Sequence, residues 1–229
     1  MINFFIGMIV IVGTYVIYLF AKMIHRKMGY SFTAPVITST IIIIAILLSF
    51  QIPYETYMIG GEWINELLGP AVVALAYPLY QQRDILKKLT APILVGTSVG
   101  AIVGVSTGIL LAKSVGFEDV IIYSLTPKSV TTPVAMAIAE TIGGVTPLAA
   151  VFVMIAGIGG VLFSSIVHKI FRLNNYIGRG VGIGSASHAI GTSKALESSL
   201  LEGSISTIAM VVSAVVVSVI TPGLVAILL

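Results

Sequence analysis

The chain has no cysteine, and only 9% of its 229 residues are charged. Without thiols there can be no disulfide, iron–sulfur cluster or cysteine-ligated zinc. The shortage of charge excludes more. A soluble domain carries about 25% charged residues, and a surface this poor in ions cannot be wetted. With 57% hydrophobic residues and a mean hydropathy of +1.10, the solvent of this chain is a bilayer. The three histidines lie far apart without metal-ligand spacing, so no metal and no cofactor are expected. The net charge of +3 does not point to nucleic acid, because the basic residues cluster beside apolar runs. That placement is a topology signal.

The rest is largely hydrocarbon. A spanning helix needs about 20 apolar residues, and the runs 2–21, 33–50, 90–112, 147–167 and 205–228 qualify. The first lacks a basic leader and a small-residue cleavage pattern and is followed by Lys22, Arg26 and Lys27. It reads as a permanent anchor, not a signal peptide. The stretch LGPAVVALAYPLYQQ (68–82) holds two prolines and is expected to cross as a kinked or partial helix. Segments 117–144 and 180–203 are apolar enough for the membrane but are interrupted by polar residues, Gly and Pro. The expected fold is therefore an all-α integral membrane protein of about eight membrane segments, two of them interrupted or re-entrant.

Positive charge sets the expected orientation. Lys22 to Lys27 and Arg83 to Lys88 fall on one side, taken as cytoplasmic, and the loop 51–67 with Glu55, Glu62 and Glu66 falls outside. If 117–144 crossed completely, the basic loop HKIFRLNNYIGR (168–179) would lie outside, against the rule. A re-entrant hairpin keeps that loop cytoplasmic and is the favoured reading, with a broken crossing helix as the alternative. On 90–112, Gly96, Gly100, Gly104 and Gly108 form one smooth stripe, which lets another backbone approach closely. Fixed helix packing is the expected use of that stripe, ahead of a sliding surface.

The two interrupted segments share a pattern. Glu140 matches Glu197 at an offset of 57, and Gly143 matches Gly203 and Ala149 matches Ala209 at an offset of 60. Each unit reads as a polar break, a short helix with a glutamate, a glycine turn and a long apolar helix. If the two breaks enter from opposite faces, the units form an inverted repeat of the kind found in secondary transporters.

Irregular backbone survives in lipid only where it is buried or lines a wet cavity. A half-helix starting inside the membrane aims free N–H groups and the positive end of its dipole at that place. Thr132 before Pro133 reads as an N-cap followed by a proline that needs no N–H. Thr192 or Ser193 is the expected cap of the second half-helix. Both starts suit an anion such as a small carboxylate. Lys128, four residues before the first start, would add a full charge there, or else sit near the surface and snorkel. Lys194 can pair instead with Glu197 at i,i+3. His188 sits in GSASHAIGTSK among small neighbours, and an intramembrane ionisable residue is a functional candidate. Glu140, His188 and Glu197 are the candidate proton carriers.

LTPKSVTTPVAMAI, IGG and GIGSASHAIGTSKALE, with the spacing between them, resemble the LrgB/CidB family. The resemblance covers about 65–229, including YPLYQQ, whereas 1–64 is less diagnostic. It implies N-terminal helices over 1–64 as scaffold or interface, and a core over 65–229 with polar breaks near 125–133 and 183–194. It also implies a multi-pass protein of the bacterial inner membrane and two descriptions of function. One is antiholin-like or holin-like action on murein hydrolase activity and autolysis, with a small LrgA/CidA-type membrane subunit as partner. The other is carriage of small monocarboxylates of the pyruvate, glycolate or glycerate type. Capped polar breaks with internal charges favour the carrier, and a homo-oligomer is the expected assembly. The substrate-binding residues inferred from motif and chemistry are Lys128, Thr131, Thr132, Ser185, Ser187, His188, Thr192 and Lys194. No nucleophile–base–acid set appears, so an enzyme is the least expected class.

Overall fold

The computed structural model describes the backbone of residues 2–30, 33, 35–67, 70, 73–74, 76–81 and 83–229, with side chains at all of these except 2, 36, 78, 79 and 197. Every regular element among the described residues is a helix. Four helices are long and apolar enough to cross a membrane: Asn3–Met28, Thr90–Val115, Thr146–Ile170 and Leu200–Leu228. The chain forms two compact units, Met1–Ala71 and Val72–Leu229.

In the first unit, α1 (Ile2–Met28), α2 (Pro35–Ser49) and α3 (Tyr54–Asn65) run in sequence. The stretch expected as an outside loop, 51–67, instead contains α3. Close approach explains the difference. A Cβ on Gly60 would lie 2.6 Å from the Gly7 carbonyl oxygen and 2.8 Å from Val10, so only a glycine lets the two backbones meet here. The hydroxyls of Thr14 and Tyr57 are 3.1 Å apart. With 57 beside 14 and 60 beside 7, α3 lies antiparallel along α1. Glu55, Glu62 and Glu66 stay on its exposed face.

The second unit holds α4 (Ala76–Gln81), α5 (Arg83–Lys88), α6 (Thr90–Val115), α7 (Asp119–Leu125), α8 (Thr132–Thr141), α9 (Thr146–Ile170), α10 (Tyr176–Ser198) and α11 (Leu200–Leu228). Of the expected crossing at 68–82, residues 70, 73–74 and 76–81 are described, and 76–81 form the six-residue α4. Two apolar clusters mark opposite ends of this unit. At one, Ile93, Val181 and Ile205 pack with Ile85, Leu89 and Ile177, so the starts of α6, α10 and α11 lie together. This end carries Arg83, Lys87 and Lys88 on α5, and we call it the basic end. At the other, Ile109 and Ala112 meet Ile122, Leu224 and Leu228, and Lys113 Nζ donates to the Leu228 carbonyl at 2.8 Å. Glu118 and Asp119 lie here, at the acidic end.

Segment 117–144 is a re-entrant hairpin. From Gly116 at the acidic end, α7 runs back along α6 until Lys128 Nζ reaches the Gly104 carbonyl at 3.1 Å. Then α8 turns back. Its exit returns beside α7: Val145 N donates to Ser124 Oγ at 2.8 Å, and a Cβ on Gly144 would lie 2.9 Å from Ser124 N. From there α9 crosses to the basic end, where His168 and Arg179 line one cleft. The basic loop 168–179 therefore shares an end with α5, as the re-entrant reading expects.

Segment 176–198 is a second hairpin, entering from the basic end. Within α10, His188 has non-helical angles (φ 39°, ψ −133°) and separates 176–187 from 189–198. Gly180 lies against Ile205 and Gly184 against Ser206, so the first half runs alongside α11 in the same direction. Thr192 bonds Ser206 at 2.8 Å and Leu196 meets Gly203, so the second half runs against it. The chain has folded back: a Cβ on Gly191 would lie 2.8 Å from Ile183 Cγ2. The hairpins thus enter from opposite ends, and α9 and α11 are antiparallel. Helix starts follow the expected offset, Asp119 to Tyr176 and Thr132 to Ala189 each spanning 57 residues (176 − 119 and 189 − 132).

The glycine stripe on α6 is where both hairpins rest. A Cβ on Gly96 would lie 2.8 Å from Val181 Cγ1 and one on Gly100 would lie 3.6 Å from Ser185, while Gly108 faces Lys128. Gly104 has open space beside its Cα.

Two expectations follow. Single cysteines at Glu118 and Glu140 should react with an impermeant thiol reagent from one face of sealed vesicles, and one at Asn174 from the other; Glu118 and Glu140 labelling from opposite faces would make 117–144 a crossing. Gly184→Ala, which drives a methyl into the Ser206 carbonyl, should cost about 1–3 kcal/mol as overpacking does. Gly104→Ala should leave the melting temperature unchanged or raised, because a buried clash is missing and alanine favours helix by about 1 kcal/mol.

Candidate functional site

The first break is built by proline and threonine. Pro127 stops α7 soon after Leu125, and Pro133 stands in the first turn of α8, where its missing N–H costs nothing. Between them the backbone is kept satisfied by turns: Lys128 N donates to the Leu125 carbonyl at 3.0 Å and Val130 N to the Pro127 carbonyl at 3.3 Å. The N-cap is Thr131, one residue earlier than the sequence pattern indicates, and its side chain makes no capping bond. Thr131 is only 6% exposed, yet its hydroxyl has no hydrogen-bond partner. The first-turn N–H groups of Thr132 and Val134 have no carbonyl within α8 to accept them. Lys128, half-buried, donates to Gly104 on α6 and has no carboxylate partner among the described residues.

The second break is one residue wide. His188 occupies a backbone region that costs about 1–3 kcal/mol for a side chain bearing a Cβ. The ring is anchored in return: Nε2 lies 2.9 Å from the Val153 carbonyl oxygen of α9. Since a carbonyl only accepts, Nε2 carries the proton. A Cβ on Gly157 would lie 2.7 Å from the ring, so the absence of a side chain there makes room for the imidazole. Ser187 sits against Gly160 in the same way. The half-helix therefore starts at Ala189, not at the Thr192 or Ser193 expected as its cap. Thr192 is inside the helix and bonds Ser206, and Ser193 Oγ donates back to the Ala189 carbonyl at 2.9 Å.

Val153 joins the two breaks. Its side chain packs in the cluster that holds Val130, Val134 and Ala135, and its carbonyl takes His188. Of the residues singled out from sequence, the structure gathers Lys128, Thr131 and Thr132 at the first break and Ser185, Ser187 and His188 at the second. Ser185, Ser187 and His188 are buried, with Ser185 Oγ donating to the Val181 carbonyl at 2.7 Å. Thr192 lies a turn beyond the second break. Glu140 and Lys194 are exposed, toward the far ends of their half-helices. The Glu197 side chain lies outside the described ones.

Sequence reasoning missed the ion pair at the basic end. Glu202, 4% exposed, has Oε2 3.1 Å from Arg179 Nε. The Arg179 N–H is not aimed along this contact, so the pair is ionic rather than a well-formed hydrogen bond. Nothing in the linear pattern links residues 179 and 202. Gly180 and Gly184, four apart on one face, were a legible sign that α10 would lie close against another helix.

The largest cavity among those described, about 540 Å³, is an apolar groove lined by Val134, Ile138, Val211 and Ala214. It does not include Lys128 or His188. At the polar breaks Thr131, Ser185, Ser187 and His188 are buried, while Lys128 and Thr132 are half-buried.

The chain matches the LrgB-like family over residues 14–227. It is 46% identical to "Uncharacterized protein YxaC" of Bacillus subtilis (strain 168), over 95% of this chain and 94% of that protein. It is 35% identical to "Holin-like protein CidB" of Staphylococcus aureus (strain Mu50 / ATCC 700699), over 96% of both. No solved structure matches. A family match over almost the whole chain, with relatives aligned end to end, settles the kinship: this membrane protein belongs to the LrgB-like family.

Proposed function

We propose that this protein is a multi-pass secondary carrier of the bacterial inner membrane for small monocarboxylates of the pyruvate, glycolate or glycerate type. One observation carries the reading. Among the described residues the Lys128 ammonium has no carboxylate partner, and three residues on, at the N-terminus of α8, Thr131 carries a buried, unpartnered hydroxyl. Keeping a cation in such a place is costly, and a bound anion offsets that cost. A carboxylate would take its charge from Lys128 and hydrogen bonds from Thr131 and the first-turn N–H groups. The start of 189–198 adds a second positive dipole end at similar depth, and an oxo or hydroxyl group of the substrate would face Ser187 and His188. Thr131, Ser187 and His188 are buried, so solute exchange needs a hairpin to part from the glycine stripe. Hairpins entering from opposite ends give one access route to each face.

The name of the S. aureus relative favours a second, holin-like reading, which the family resemblance extends to action on cell-wall hydrolysis with a small membrane subunit. That reading predicts release of large solutes, governed by oligomer size and indifferent to Lys128.

Proteoliposomes separate the two. With or without an LrgA-type subunit, saturable uptake of labelled pyruvate, glycolate or glycerate is expected. Lys128→Met should lower it at least tenfold while insertion and oligomer size stay unchanged. Absence of saturable flux for every substrate, together with escape of entrapped protein-sized solutes, would leave the holin-like reading standing. Thr131→Val removes a hydroxyl that bonds nothing in the protein, so the melting temperature should hold. The apparent KM should rise about tenfold or more, the worth of a hydrogen bond to a charged group.

A further inference from the structure

At the basic end, His168, Lys169, Arg172, Asn174 and Arg179 surround a cleft of about 350 Å³ between the end of α9 and the start of α10. Its shape is set by the backbone. After Ile170 the chain turns through Arg172, a non-glycine residue at φ 50°, while Leu173 N donates to the His168 carbonyl at 2.9 Å. Asn175 then caps α10 by accepting from Ile177 N at 2.8 Å, and Glu202 holds Arg179 at the cleft wall. Three cations against one buried carboxylate leave the cleft positively charged. Around it stand exposed apolar side chains: Ile170 at 69%, Phe171 at 70%, Leu173 and Tyr176.

Charge in a cleft ringed by exposed hydrocarbon, at the end of a spanning helix, matches a molecule with an anionic head and an acyl tail. A dissolved anion would have no use for the apolar rim. We propose that this cleft is a binding site for the phosphoryl headgroup of an anionic membrane lipid, with Lys169, Arg172 and Arg179 taking the phosphate and Ile170 and Phe171 the upper acyl chain. The site stands apart from the polar breaks, and it shares Arg179 with the Glu202 pair that holds α10 on α11.

The test uses the full-length protein in neutral detergent, titrated with phosphatidylglycerol, phosphatidylcholine or inorganic phosphate, reading bound lipid by native mass spectrometry and the melting temperature. Phosphatidylglycerol should bind and raise the melting temperature more than phosphatidylcholine does. Lys169→Gln with Arg172→Asn should weaken phosphatidylglycerol about 30-fold, two residues at about 1 kcal/mol each beside an anionic headgroup. Asparagine is chosen because it tolerates the left-handed backbone at 172, and Lys169→Arg with Arg172→Lys should retain the preference. Equal binding of the two lipids, or an unchanged double variant, would overturn the proposal. So would inorganic phosphate stabilising as strongly as phosphatidylglycerol, which would make this a site for free anions.

Discussion

Backbone N–H and C=O groups have no water to turn to inside the hydrocarbon layer, and each one left unpaired costs several kcal/mol. A chain that interrupts its helices twice within the membrane must therefore enclose both interruptions in protein. Almost every close contact of the second unit serves that enclosure. Gly96, Gly100 and Gly108 let the hairpins lie against α6, Gly157 and Gly160 let His188 and Ser187 reach α9, and Gly180 and Gly184 seat α10 on the backbone of α11. Without side chains at these places the helices approach closely enough to shut out lipid, and the irregular segments become affordable.

The two hairpins share a plan but not a chemistry. Both place a half-helix start within the second unit, and their helix starts keep a spacing of 57 residues (189 − 132). The first break is a loop that brings a full charge and an idle hydroxyl. The second is a single strained residue whose ring is already committed to Val153. On the proposed carrier reading, attraction for an anion falls mainly on the first break. The second contributes a dipole and a wall, and its histidine stands in a structural bond before it can do anything else.

Much of this was legible beforehand. Four of the five long apolar runs announced spans, while 33–50 forms only the 15-residue α2. The basic loop at 168–179 announced the hairpin at 117–144, and Thr-Pro at 132–133 announced a helix start to within one residue. The errors have physical causes. At 51–67 three glutamates looked like a loop, but they sit on one face of a helix whose opposite face uses Gly60 to touch α1. In 180–203 the break fell at His188, not at the threonine and serine that resembled caps, because room for the ring comes from Gly157 on another helix. Arg179 with Glu202 was invisible for the same reason. Pairings between distant helices leave no local period to read.

Those distant pairings also make the hairpins unequally tethered. To lift the first from α6, the chain must give up the Lys128 bond to Gly104, a charge reaching a neutral carbonyl. To lift the second from α11, it must separate Arg179 from Glu202 and Thr192 from Ser206. Breaking a buried ion pair costs about 3–5 kcal/mol, although Arg179, with its side chain 38% exposed, lets water screen part of that. Glu202 is buried on α11 and has no such relief once Arg179 leaves it. The first break gives up only a bond to a carbonyl, whereas motion at the basic end must first find another partner for a carboxylate. In polar contacts the acidic-end hairpin is accordingly the more lightly tethered of the two, and its hold on α6 is mainly the apolar packing of Ile122, Val130 and Val134.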